Sequence, residues 1–188
     1  ALSALLFLYR EVLGVDLPWL DDLVRAKRPA RLPTVLTVAE VQQVLDRIAG
    51  VPGLVARLLY GSGLRLMEGL RLRVQDLDLE RSEVTVRRAK GQRDRVTMLP
   101  RQLAGPLQRH LERMCSQHHK DRQQGAGWVE LPRSLAAKYP GAGREWRWQW
   151  LFPATRIHRH RESGERRRHH LHQTAVQRAV TQAARQGG

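Results

Sequence analysis

The amino-acid sequence predicts an α+β protein, mostly helical with one clear β-hairpin. Two patterns carry that prediction. Apolar residues recur at three- and four-residue intervals over several segments, whereas residues 83–99 alternate with period two on either side of a glycine-containing turn. The length of 188 residues suits one ordinary domain with a piece of a second.

The elements follow in order. Leu2, Leu5, Leu6, Leu8, Tyr9, Val12 and Leu13 make the apolar face of an amphipathic helix over residues 1–14, stopped by Gly14. Residues 16–32 hold Pro18, Pro29 and the basic run Arg25, Lys27, Arg28 and Arg31. They read as a linker between two structural units, charged where it can lie along phosphates. The next helix opens with a capping box, Thr37 as N-cap and Glu40 three residues on, followed by Val41, Val44, Leu45 and Ile48. Pro52 and Gly53 are expected to break it, with another helix starting at residues 54–59. Residues 83–87 and 95–99 are the predicted hairpin strands, with Lys90 and Gly91 in the turn between them. Pro100 ends the hairpin, and Leu103, Leu107, Leu111 and Met114 mark a further helix. Residues 123–144 are glycine-punctuated loop around a short element at 131–139, and a last helix spans about residues 173–185. No internal repeat is visible.

No apolar run approaches the roughly 18 residues that span a bilayer, so no membrane partner is expected. The apolar start has no basic segment before it and reads as a helix face, not a signal peptide. A single cysteine, Cys115, makes neither an internal disulfide nor a thiolate zinc site, so a cytoplasmic location is the expectation. Lys and Arg number 33 against 18 acids, a net charge of +15. That surplus points to polyanionic partners, nucleic acid first. It is uneven: residues 1–100 carry 16 basic and 12 acidic groups, residues 101–188 carry 17 and 6. Only four of the basic residues are lysine; a GC-rich genome explains arginine in place of lysine, but not the surplus itself.

The segment from Tyr60 to Leu70 carries the most chemistry. Gly61 and Gly63 stop one helix, and Arg65 falls in the first turn of the next, where it can fork onto two oxygens of a phosphate. Glu68 shares its helical face and can orient the guanidinium; the plain alternative is a surface i,i+3 ion pair, worth about 0.2–0.5 kcal/mol. Lys90 at the hairpin tip, followed by Arg93 and Arg95, can reach into a DNA groove and donate a proton to a leaving oxygen. Arginine titrates too high for that task. The alternative is a solvated turn lysine.

Gly-Ser-Gly-Leu-Arg-Leu-Met-Glu-Gly-Leu, then Val-Gln-Asp-Leu-Asp, then Lys-Gly-Gln-Arg-Asp-Arg and Met-Leu-Pro, together resemble the first half of a tyrosine recombinase catalytic domain. The stretch Arg-Leu-Pro-Thr-Val-Leu-Thr-Val-Ala-Glu-Val at residues 31–41 is similar to the start of that domain. Residues 130–174, with Arg-Glu-Trp-Arg-Trp-Gln-Trp-Leu-Phe-Pro and Arg-Arg-His-His-Leu-His, are similar to the insertion of integron integrases. The resemblance implies a mostly helical catalytic domain with a small sheet and an integron-specific insertion. Residues 1–24 would end a helical core-binding domain, 25–33 would be the basic linker, and 34–188 a partial catalytic domain with its insertion at about 125–172. It implies that Arg65 holds the scissile phosphate, Glu68 supports it, and Lys90 protonates the 5′ leaving oxygen. A nucleophilic tyrosine would attack to give a 3′-phosphotyrosine. Tyr9, Tyr60 and Tyr139 do not match that position, so the chain reads as the middle of the enzyme and is expected to be inactive alone.

Lys27, Arg28, Arg93, Arg95, Trp148, Arg167, Arg168, His169 and His170 are the expected DNA contacts. In a strand Trp146, Trp148 and Trp150 would share a face; in a helix Trp148 would point away from the other two. Trp148 is the expected base-stacking residue, worth about 1–3 kcal/mol per base, with Trp146 and Trp150 in the core. The resemblance places His169 and His170 around a base flipped out of a folded single-stranded cassette-site hairpin. The other implied partners are a duplex attachment site and further recombinase protomers, in a tetramer. The five histidines between 158 and 172 do not match standard zinc spacing, and no metal or other cofactor is expected. The histidine-rich stretch is read instead as a solvated, phosphate-facing hairpin. Two alternatives remain: a non-catalytic DNA-binding module on the recombinase scaffold, and a general RNA-binding protein, which lacks a recognisable aromatic RNA motif.

Overall fold

The fold comes from a computed structural model that describes residues 2–15, 35–87 and 93–186. Lys27, Arg28 and Lys90 lie outside the described residues. The chain divides into two compact units, Ala1–Val35 and Leu36–Gly188. In the first, helix α1 (Leu2–Phe7) widens into a π-helical turn (Leu8–Val12), and the chain leaves it through Gly14 at φ 62°, the glycine stop that was expected.

The second unit opens with α2 (Val38–Asp46). Its capping box is formed: Thr37 Oγ1 accepts the Glu40 N–H at 3.3 Å, and Glu40 Oε2 accepts the Thr37 N–H at 2.7 Å. Helix α3 (Gly50–Ser62) starts earlier than expected, because Pro52 and Gly53 lie in its first turn rather than before it. The amides of a first turn have no intrahelical acceptor, so proline is tolerated there. Gly53 lets α3 start hard against the preceding segment: a Cβ on it would lie 2.0 Å from the Ile48 carbonyl oxygen. Gly63, in the left-handed conformation at φ 61°, ends α3 and turns the chain directly into α4 (Leu66–Leu70).

A 3₁₀ turn (Val74–Asp76) leads to a three-stranded antiparallel sheet, β1 (Leu77–Asp78), β2 (Glu83–Val86) and β3 (Arg95–Met98), in that order. The predicted hairpin is β2–β3, in register Val84↔Thr97 and Val86↔Arg95. Strand β1 is too short to show an alternating pattern in sequence. Helix α5 (Arg101–Gln123) runs beyond the predicted leucine stripe, because its inward face continues through polar residues, His118 and Asp121. Then come α6 (Arg133–Lys138), 3₁₀ turns at Ala142–Arg144 and Trp146–Trp148, and the hairpin β4 (Pro153–Arg159) and β5 (Arg166–His170). The last helix, α7 (Gln173–Arg185), lies where the sequence placed it; the His172 side chain caps it by accepting the Thr174 N–H.

One core gathers these elements. Val55 and Leu58 of α3, Leu70 and Leu72 around α4, Val84 and Val86 of β2, Leu107 of α5, Leu151 and Phe152 before β4, and Val176 of α7 pack together. A smaller cluster, Leu45, Ile48, Ala56 and Ala183, joins α2, α3 and α7. Phe152 has no solvent exposure, whereas Val96 on the outer face of β3 is exposed. Phe152→Ala is therefore expected to cost about 3–5 kcal/mol and Val96→Ala under about 0.5, measured by urea unfolding. Similar costs for the two would show that Phe152 is not part of the packed core.

Candidate DNA-contacting site

Arg65 is the N-cap of α4, one residue earlier than the first-turn position expected. Glu68, on the first turn of that helix, accepts the Arg65 backbone N–H at 2.9 Å and the Arg65 guanidinium at 2.8 Å. Arg95, from β3, donates to the same carboxylate at 2.8 Å. The Glu68 side chain is only 11% exposed while that of Arg65 is 61% exposed. The carboxylate is thus the inner anchor, and the guanidinium is held and still open to solvent. Burial alone would raise the Glu68 pKa, but the hydrogen bonds from Arg65 and Arg95, with the Arg95 charge, outweigh it and hold it below the ordinary carboxylate value.

The far end of α4 opens a groove of about 490 Å³ whose lining includes Glu68, Arg71, Trp148, Trp150, His169 and His170. Arg73 forms part of its wall and ties it together. Its guanidinium donates to the Trp148 carbonyl at 2.5 Å and the Glu130 carbonyl at 2.7 Å, and lies 4.0 Å from the Trp150 ring centroid. Burial pushes the Arg73 pKa down to about 10, against the pull of Asp76 and Glu130, and leaves it charged at neutral pH. Asp76 also accepts the Arg73 backbone N–H at 2.9 Å and the Arg87 side chain at 2.6 Å.

Trp146 and Trp148 lie in a 3₁₀ turn and Trp150 beyond it in a β-bridge with Arg73, so the three share neither the single strand nor the α-helix weighed from sequence. Trp146 packs on the His118 ring of α5, Trp150 is buried beside Arg73, and Trp148 is half-buried at the groove. His169 is exposed and His170 buried, their ring centroids 4.0 Å apart. Burial keeps the His170 imidazole neutral at pH 7; the Leu171 carbonyl opposes this, and the charges of His169, Arg71 and His172 reinforce it.

The cations of the β4–β5 hairpin divide into two kinds. Arg168 turns inward: it pairs with Asp121 of α5 at 2.8 Å and donates to the Ala154 and Thr155 carbonyls. Its guanidinium is committed to anchoring the hairpin. Arg167 is paired with Glu165 at 2.7 Å and is partly buried. Arg156 and Arg161 face solvent, and Arg166, also exposed, donates to the Gln124 carbonyl at 2.6 Å. Arg93 is exposed at the start of the segment leading into β3. Sequence reasoning missed Arg71, Arg73 and Trp150 as groove residues, since nothing in a linear pattern marks residues that meet only across the fold. Among the described residues no group of three or more His, Cys, Asp and Glu is placed to hold a metal, and no helix is long and apolar enough to cross a membrane.

This fold is similar to that in a crystal structure of XerA recombinase: the TM-score is 0.54 over 99% of this chain and 52% of that one, at 19% identity. The chain belongs to the phage integrase family, whose family model matches residues 33–188. It is 45% identical over all 188 residues to an integrase/recombinase of Escherichia coli and to one of Pseudomonas aeruginosa, covering 56% of each. It is 40% identical to the tyrosine recombinase XerA of Thermococcus kodakarensis over 89 residues, 46% of this chain and 32% of that protein. The chain thus spans about half the length of the curated relatives that match it throughout.

Two outcomes follow from the ion pairs. Glu68 has a lower pKa in the fold than in the unfolded chain. Its stabilisation is complete above the ordinary carboxylate value and is lost as pH falls through the lowered folded value. Glu68→Gln should therefore flatten the acid limb of a stability-versus-pH curve, with Asp121, lowered likewise by Arg168, and Glu40, lowered by its Thr37 hydrogen bonds, still contributing to it. An unchanged acid limb would contradict the pairing. Asp121→Ala strands the Arg168 guanidinium and is expected to cost about 3 kcal/mol in chemical unfolding, as broken buried pairs do.

Proposed function

We propose that this chain is the part of an integron-type site-specific tyrosine recombinase that carries the first catalytic arginine, and that the whole protein integrates and excises gene cassettes. The observation that carries the reading is the pairing of an exposed, carboxylate-anchored Arg65 with an aromatic and imidazole-lined groove at the other end of the same short helix. The similarity to the integrase/recombinase relatives extends over the entire chain, residues 130–174 included.

In this reading residues 34–188 are a partial catalytic domain, with its insertion at about 125–172, and 25–33 are the linker after a core-binding domain. Arg65 forks onto the non-bridging oxygens of the scissile phosphate and stabilises the charge that grows there in the transition state. Glu68 holds it. A tyrosine attacks phosphorus, the 5′ oxygen leaves with a proton from Lys90, and the 3′-phosphotyrosine keeps the bond energy for rejoining. Trp148, His169 and His170 surround a base extruded from a folded single-stranded hairpin, and protomers assemble on two DNA segments, in the cytoplasm. Tyr9, Tyr60 and Tyr139 are not the nucleophile, and the chain by itself forms no covalent adduct with DNA.

The test is binding of the full chain to a DNA hairpin with unpaired extrahelical bases and to a fully paired duplex. The expected result is a preference for the hairpin of about 5- to 150-fold per stacked base, abolished by Trp148→Ala. The salt dependence is expected to be steeper than a log–log slope of about −5. Equal affinity for both DNAs would overturn the cassette reading, and denatured, washed complexes retaining DNA would overturn the absence of a nucleophile.

A further inference from the structure

The Arg65 site contains a second cation from a different element. Arg95, the first residue of β3, donates Nη2 to Glu68 Oε2 at 2.8 Å and reaches the Gly63 carbonyl at 3.4 Å. Two residues on, the Thr97 hydroxyl donates to the Ser62 carbonyl at 3.0 Å. Strand β3 is therefore stitched to the α3–α4 junction at Ser62, Gly63 and Glu68, the junction from which Arg65 projects.

The division of the carboxylate matters. Glu68 Oε1 takes the Arg65 guanidinium, and Oε2 takes the Arg65 N–H together with Arg95. Held by Arg65 alone, the carboxylate has one fixed donor, the Arg65 N–H, and a terminal torsion with broad wells about it. A donor from β3 fixes the carboxylate plane against an element outside α4. The two cations also differ in access: the Arg65 side chain is 61% exposed and that of Arg95 38%.

We propose that Arg95 is a positioning residue for Arg65: acting through Glu68, it fixes the direction of the Arg65 guanidinium so that a DNA phosphate meets a preset fork. The inference rests on the reading above, that Arg65 takes a DNA phosphate. An arginine already held in its bound direction loses less freedom when the phosphate arrives, and affinity rises accordingly.

A double-mutant cycle on the full chain tests this, with duplex DNA as the probe at several salt concentrations. Arg65→Ala and Arg95→Ala are each expected to weaken binding, the latter by about two- to tenfold. The double variant is expected to bind no more weakly than Arg65→Ala, and the salt slope to fall by about one in both. Arg95→Lys is expected to recover part of the affinity and to stay coupled to Arg65; it also runs the cycle should Arg95→Ala not fold. Losses that multiply, with the slope falling by about two, would overturn the proposal and make Arg95 a phosphate ligand in its own right. So would an Arg95→Ala variant that binds like the wild type. An Arg65→Ala variant that binds like the wild type would instead remove the reading of Arg65 as a phosphate contact, and this inference with it.

Discussion

A buried guanidinium ties the segment after α4 to backbone at residues 130 and 148. Arg73 leaves the end of α4, donates to carbonyls of Glu130 and Trp148, and lies under the Trp150 ring. A charge so enclosed is costly unless its donors are satisfied, and here the satisfying acceptors belong to backbone 57 and 75 residues away. Losing either one leaves a donor of this buried cation unsatisfied, so the positions of residues 130 and 148 are coupled to Arg73. That coupling ties Trp148 and Trp150 into the wall of the groove that Arg71, His169 and His170 also line.

Two other ion pairs also join separate elements. Asp121 anchors the β4–β5 hairpin through Arg168, and Glu68 anchors Arg65 and Arg95. In each case a nearly buried carboxylate faces a more exposed arginine, so the acid fixes position while the base keeps some access to solvent. The net charge of +15 therefore overstates the surface available to a polyanion. Arg73 and Arg168 serve the fold, while Arg65, Arg93, Arg156, Arg161 and Arg166 stand at the surface. Attraction of a polyanion to such a surface depends on that second set and on the summed field, not on the count of arginines.

Local interactions were legible in the sequence. The Thr37–Glu40 capping box, the β2–β3 pairing, the glycine stop after Leu13 and the extent of α7 each depend on residues a few positions apart, and each formed as read. The Arg65–Glu68 contact was legible for the same reason. Pro52 and Gly53 were misread as a break because proline carries two meanings, interrupting a helix interior and suiting a first turn. The end of α5 was missed because hydrophobic periodicity is blind to a buried His118 and Asp121.

By itself, then, the sequence determined the helical and hairpin segments, the basic character of the second half, and the identity of the arginine at the start of α4. Only the tertiary structure decided which arginines are free. Arg166, Arg167 and Arg168 are indistinguishable as a basic run, yet the exposed Arg166 donates to the Gln124 carbonyl just past α5, Arg167 pairs with Glu165 and Arg168 is held against Asp121 of α5. It also decided that Arg95 shares the carboxylate of Arg65, and that Trp148, Trp150 and His170 meet at one groove. Sequence spacing fixes neighbours along an element, whereas burial and pairing depend on what the rest of the chain brings alongside, and those partners lie tens of residues away.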